Sequence, residues 1–221
     1  MKKVGAVTIG QSPRDDILRD VEDILGKEME LVQAGALDDM TLEEVQVLRP
    51  DGIGNTLVSR MRDGTAVELE EQKILPLMQR KIDELESARV QAVLIMCTGE
   101  FPEVFHARVP LIYPSKLICN IVASLKGVSC IGIITPEKSQ FQDIERKWGR
   151  IVPKVVPVQW NPYLESRPRQ AAEALRDAGV DLAVMDCFGY SQEMRCYAAE
   201  IIGKPVILSR RIAIQVVKEL V

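Results

Sequence analysis

The sequence predicts an α/β protein made of two similar parallel-sheet halves, related by a pseudo-twofold axis with a cleft between them. Three observations lead there. Val90-Gln-Ala-Val-Leu-Ile-Met-Cys97-Thr-Gly-Glu100 returns ninety residues later as Val180-Asp-Leu-Ala-Val-Met-Asp-Cys187-Phe-Gly-Tyr190. The opening run, which passes Gly5 and Thr8 before Pro13, has a partner in Cys130-Ile-Gly-Ile-Ile-Thr135-Pro136. Finally, apolar runs alternate with amphipathic stretches along the second half, the rhythm of βα units joined by right-handed crossovers.

The two cysteine runs are the sharpest signal. Short runs of Val, Ile and Leu read as strands buried on both faces of a parallel sheet. The glycine two residues past each cysteine marks the turn off the strand's carboxyl end, the edge where open α/β sheets bind ligands. A lone cysteine there packs as a small hydrophobe. Two at matching positions point to a site, although a duplication also copies packing residues.

In chain order, Lys3 to Ile9 is the first strand. Ser12 and Pro13 then read as the N-cap and first residue of a helix that presents Ile17, Leu18, Val21, Ile24 and Leu25 and stops at Gly26. From Thr8 to Cys97 is 89 residues, against 52 from Thr135 to Cys187, so the first half carries about 37 extra residues. They fall at about 35–69, where Asp51-Gly-Ile-Gly-Asn55 and Arg62-Asp-Gly64 collect turn formers. Such an insertion is either a lid or binding loop, or a decorative hairpin. Glu70 to Ser87 is a helix with Ile74, Leu75, Met78, Ile82 and Leu85 on one stripe, and Pro76 kinks it or lies near its start. Pro110 to Pro114 is extended. Pro114 and Ser115 cap a helix carrying Leu117, Ile118, Ile121, Val122 and Leu125, which Gly127 ends, and the domain hinge is placed here. Then follow a strand at 129–134, a helix at 137–147, a strand at 151–158, a helix at 166–178, the second cysteine strand, a helix at 191–202 and a strand at 205–208. A last helix runs from Arg211 to Leu220. The halves divide as 1–112 plus 209–221, and 113–208. Cys119 and Cys196 fall in helices and Cys130 in a strand, and all three are assigned to packing.

Composition excludes several classes. The formal charge of −4, with no basic stripe, argues against nucleic acid as a partner. Five cysteines without regular spacing make no disulfide framework. With no CxxC or HxxH pair and His106 as the single histidine, neither a zinc site nor a Ser-His-Asp hydrolase is expected, unless His106 is the single base. The apolar run behind Met1-Lys-Lys3 ends at Ile9, too short for an export signal, and no membrane span follows. A reducing cytoplasm is the expected location.

Thr8-Ile-Gly-Gln-Ser-Pro-Arg14, Leu57-Val-Ser-Arg-Met-Arg-Asp-Gly64, Asp186-Cys-Phe-Gly189 and Pro205-Val-Ile-Leu-Ser209 resemble the AroM family, within the aspartate/glutamate/hydantoin racemase superfamily. The resemblance runs essentially end to end. It implies cofactor-independent chemistry on a small carboxylate: racemisation, isomerisation or decarboxylation. Cys97 and Cys187 would alternate as base and acid at a carbon next to the carboxylate. A thiol must be tuned toward thiolate for this, and a helix starting after Cys97 and the Arg14 guanidinium are the candidates. The substrate carboxylate would be held by Ser12, Thr98 and Gly99, with Arg14 or Arg60 as charged anchor and Gly189 at the second cysteine.

Departures narrow the substrate. The amino-acid racemases follow their first cysteine with Asn-Thr and their second with Thr and usually His or Tyr. Here the followers are Thr98-Gly99 and Phe188-Gly189, which disfavours aspartate or glutamate. Asp186 would oppose a Cys187 thiolate if its carboxylate faced the same way. The alternative is a non-catalytic metabolite-binding protein on the same scaffold, linked to aromatic amino-acid biosynthesis. The expected partner is a small-molecule carboxylate or other anion, with no cofactor, metal, nucleic acid or membrane, and homodimer assembly stays open.

Overall fold

The computed structural model describes residues 1–51, 56–164 and 168–221, with side chains left out at 18–20. The turn formers Gly52, Gly54 and Asn55 lie outside the described residues, as does the expected start of a helix at 166 and 167. The chain divides into two compact units, Met1–Ser115 with Ala213–Val221, and Lys116–Ile212.

In the first unit the strands β1 (Lys2–Thr8), β2 (Met29–Gly35), β5 (Val93–Ile95) and β6 (Leu111–Ile112) form a parallel sheet in the order β2-β1-β5-β6. Helix α1 (Asp15–Leu25) ends at Gly26, whose φ of 74° suits a residue without a Cβ. After β2 come the single turn α2 (Leu42–Val45) and an antiparallel hairpin of β3 (Thr56–Arg60) and β4 (Ala66–Glu70). Helix α3 (Glu71–Ser87) then buries the expected stripe of Ile74, Leu75, Met78, Ile82 and Leu85, with Pro76 inside it. That stripe packs with Val7, Val93 and Ile95 of the sheet and with Leu57, Val67 and Leu69 of the hairpin. The hairpin is therefore part of this unit's core.

The second unit repeats the plan. After α4 (Pro114–Ala123) come β7 (Cys130–Thr135), α5 (Phe141–Trp148), β8 (Lys154–Gln159), α6 (Arg169–Asp177), β9 (Leu182–Met185), α7 (Gln192–Ile202) and β10 (Val206–Leu208). The last helix, α8, spans Ser209–Leu220. The sheet is parallel in the order β10-β9-β7-β8, so β7, β8, β9 and β10 occupy the places of β1, β2, β5 and β6.

The duplication extends to single hydrogen bonds. Gln91, Val93 and Met96 donate their N–H groups to the carbonyls of Lys3, Pro110 and Val7. Asp181, Ala183 and Asp186 donate to those of Cys130, Pro205 and Ile134. Each donor in the second set lies ninety residues after its counterpart. The register that carries both cysteines to a strand end is thus the same in both units.

Three expectations are corrected. Pro13 does not open the first helix: its peptide bond with Ser12 is cis, and the N-cap position is Arg14, with no side-chain cap. No helix starts after Cys97, since residues 96–110 are irregular; Phe101 and Phe105 instead bury their rings, 5.9 Å apart, and Pro102 lacks the N–H of a helical residue. Cys196 is exposed on α7, so packing does not account for it, whereas Cys130 is buried.

Candidate functional site

Each unit is built around the carboxyl edge of its sheet. In the first, that edge carries the loop Ile9–Arg14 after β1, Gly35 at the end of β2, and Cys97 after β5. The loop is organised by Asp38. Its carboxylate accepts the Ser12 N–H at 2.6 Å, the Ser12 hydroxyl at 2.7 Å and the Gly35 N–H at 2.7 Å. Arg62 sits beside it at 3.4 Å and donates to the Ser12 carbonyl at 2.7 Å. Gln11 ties the same loop to the hairpin, accepting from the Arg62 N–H and donating to the Leu37 and Met40 carbonyls.

The hairpin presses closely on this loop. A β-carbon built on Gly10 would fall 2.4 Å from the Arg60 carbonyl oxygen and from Ser59 Oγ, so only glycine fits. The Gln11 N–H donates to the Arg60 carbonyl. Further along, Leu57 Cδ2 lies 3.1 Å from where a Gly99 β-carbon would be. One end of the insertion thus touches the loop after β1, and its side chains reach the residues after Cys97.

Arg14 is buried and holds Asp16 in a two-pronged pair, at 2.8 and 2.7 Å. Burial, the largest single influence on Asp16, raises its pKa. The Arg14 hydrogen bonds and charge, with the charge of Arg60, outweigh it, and the carboxyl settles below its usual range. Arg60 is half-buried and donates through Nε to the Gly64 carbonyl at 3.1 Å, closing the hairpin turn. Thr98 is buried. The structure therefore brings Ser12, Arg14 and Arg60 into one neighbourhood, with Ser12 engaged by Asp38 and Arg14 by Asp16.

Both cysteines are half-buried thiols. In each unit the glycine two residues on directs its N–H at the sulfur, and both N···S distances are 3.4 Å. Asp186 turns away into the unit's interior, where its carboxylate accepts from Lys147 Nζ at 2.9 Å and Trp148 Nε1 at 3.0 Å. Lys147 pairs its charge and also lies 5.2 Å from the Trp148 ring centroid. The charge of Asp186, next in sequence to Cys187, is thus paired with that of Lys147.

The second unit adds residues that sequence reasoning passed over. Glu137, just after β7, accepts from Asn161 Nδ2 at 2.7 Å and Gln159 Nε2 at 3.1 Å. The Asn161 side chain in turn accepts the Tyr163 N–H at 2.9 Å. A β-carbon on Gly189 would fall 2.7 Å from Tyr163 Oη and Pro162 Cγ, which reserves that position for glycine. Tyr190 is fully buried and donates to the Trp160 carbonyl at 2.6 Å. Burial first, then the charges of Cys187, Tyr163, Asp186 and Glu137, hold its phenol well above the usual range. A usable signal for these residues was Asn161-Pro162, a turn dipeptide at the carboxyl end of an apolar run.

A groove of about 730 Å³ in the same unit is lined by Lys138, Phe141, Gln159 and Arg169 among others, and by none of the residues singled out from the sequence. Among the described residues no cluster of three or more His, Cys, Asp or Glu suits a metal ion, and no helix is long and apolar enough to cross a membrane.

The family model described as AroM protein matches residues 4–221. Three solved structures are similar over nearly the whole chain. An aspartate racemase from Picrophilus torridus is 11% identical with a TM-score of 0.60, covering 100% of this chain and 94% of its own. An allantoin racemase from Klebsiella pneumoniae is 14% identical with a TM-score of 0.64, covering 100% and 87%. The maleate isomerase Iso from Pseudomonas putida S16 is 14% identical with a TM-score of 0.57, covering 97% and 90%. At these identities the likeness establishes the fold alone. No curated protein sequence matches the chain.

Proposed function

The chain belongs to the AroM family, and from that premise we propose that it is a cofactor-independent enzyme of the racemase, isomerase or decarboxylase type. Its substrate is a small carboxylate, and Cys97 and Cys187 are its acid and base. The observation that carries the reading is the repeated Cys-X-Gly strand end, with the same N–H···S contact of 3.4 Å in both units. A donated N–H favours the charged sulfur over the neutral one, which suits a thiol that must act as a base.

The chemistry balances without a redox partner. One thiolate removes the proton α to the carboxylate and becomes a thiol, while the electron pair is held as an enediolate. The other thiol returns its proton to the same carbon and becomes the thiolate. The reading requires both sulfurs to reach one substrate carbon. Thr98, Gly99 and Arg60 would hold the carboxylate at the first cysteine, and Gly189 lies beside the second. Ser12 would join them only by giving up Asp38, whereas Arg14 holds Asp16 through Nε and Nη2 and has further N–H groups.

Incubation with 2-substituted carboxylates in heavy water tests this. Deuterium is expected at the α-carbon of the true substrate, because one working base suffices to exchange it. Cys97→Ser and Cys187→Ser should each lower turnover about 10²–10⁴-fold, since a serine hydroxyl stays neutral near pH 7. Fold and affinity should change little, because the swap alters little volume. A tight ligand that shows neither exchange nor bond cleavage, and binds both variants equally, would overturn the enzyme reading. In that outcome the chain would be a non-catalytic metabolite-binding protein on the same scaffold, the alternative linked to aromatic amino-acid biosynthesis.

A further inference from the structure

We propose that Tyr163 is a positioning residue for Cys187, its phenol supplying a second donor to the thiolate beside the Gly189 N–H. The inference rests on the proton-transfer reading of Cys187 and adds a group to it. Gly189 is where the two side chains meet. Its N–H lies 3.4 Å from Cys187 Sγ. A β-carbon on it would fall 2.7 Å from Tyr163 Cζ and Tyr163 Oη, so the tip of the phenol rests directly on the glycine.

That tip is held in place by a chain of contacts along the sheet edge. The Tyr163 N–H donates to Asn161 Oδ1, and Asn161 Nδ2 donates to Glu137, which also accepts from Gln159. Asn161 is buried, so the loop that presents the ring is anchored from below. The neighbourhood contains a second phenol, Tyr190, but its hydroxyl is committed to the Trp160 carbonyl inside the core. Tyr163 is then the phenol that faces the cysteine's glycine.

The electrostatics explain why Cys187 needs such a donor. Glu137 and Asp186 both lie near enough to act on Tyr190, as does Cys187 itself. Asp186 is compensated by Lys147, whereas among the described residues Glu137 accepts from neutral amides and backbone. Carboxylate charge in the vicinity opposes a thiolate, and hydrogen bonds to sulfur favour it. The corresponding glycine in the first unit, Gly99, is covered by Leu57 and Phe101 instead. The two thiols are thus set in different surroundings on one repeated backbone.

The test is the pH profile of alkylation by iodoacetamide, read cysteine by cysteine from peptide masses, in the intact chain and in Tyr163→Phe. The Phe ring keeps the packing on Gly189 and lacks only the hydroxyl. Loss of one hydrogen bond to a charged group should raise the midpoint for Cys187 by about one pH unit. The Cys97 profile should not move, and continued protection of buried Cys130 would show that the fold is intact. A Cys187 midpoint unchanged in Tyr163→Phe would overturn the proposal, as would a Cys187 that resists the reagent at every pH. Deuterium exchange reports turnover and not ionisation, so the proton-transfer reading stands or falls separately.

Discussion

At the scale of single residues, the most consequential contact is the buried pair of Lys147 and Asp186 next to Cys187. Their side chains are 6% and 2% exposed, so each charge depends on the other. Replacing Lys147 with Met leaves a carboxylate buried without its cation, and should cost about 3–5 kcal/mol of stability. Adding Asp186→Asn should recover most of that loss, because the amide oxygen still accepts from Trp148 and no charge remains. Urea unfolding of the single and double variants measures both steps; a double variant as weak as the single one would show that the pair is valued for shape and not for charge. From the sequence, Asp186 was visible only as a neighbour of Cys187, because its partner lies 39 residues away on another element. Ser12 illustrates the same limit. Its hydroxyl reads locally as a helix cap, and Asp38, 26 residues on, takes it instead.

Among the elements, the internal repeat made most strands and helices legible. Apolar runs and capped amphipathic stretches carry their own signal, and the ninety-residue echo checks one half against the other. Where the halves differ, that check lapses. The half-exposed edge strand β2 has no strong alternation, and the hairpin's period-two pattern was masked by the turn formers around it. The same comparison exposes a strained position. Helices α3 and α6 end in matching Schellman turns, with Val90 and Val180 donating to the Leu85 and Leu175 carbonyls. The residue in the left-handed conformation is Gly179 in the second, with φ 67°, and Arg89 in the first, with φ 60°. A side chain there costs on the order of 1–2 kcal/mol, part of which the greater unfolded-state freedom of glycine offsets. Arg89→Gly should therefore stabilise the protein by about 0.5–1 kcal/mol, seen as a higher urea midpoint with an unchanged slope. Gly179→Arg should lower the midpoint.

For the whole molecule, the duplication means that two hydrophobic cores are built in one chain. The first unit closes its core around Val7, Val93, Ile95 and the α3 stripe. The second has one cluster around Ile134, Ala183 and Met185 and another around Ile131, Ile133 and Val184, on the two faces of its sheet. Each of these clusters is built from residues of its own unit. Stability can then differ between the units, and weakening one core should act mainly on its own strands. Val184 is fully buried at the centre of β9, with Ala183 on the opposite face of the strand. Val184→Ala removes two methyl groups from a packed site and should cost roughly 1–3 kcal/mol, the range between a one-methylene deletion and a Leu→Ala change. Native-state hydrogen exchange should then show faster exchange in β7, β9 and β10. The amides of β1 and β5 should keep their protection, because their hydrogen bonds and core contacts are untouched. Equal loss of protection in both sheets would mean that the units open only together. In that case a substitution beside Cys187 would also loosen the surroundings of Cys97, and variants of either cysteine's neighbours would have to be judged by the stability of the whole chain.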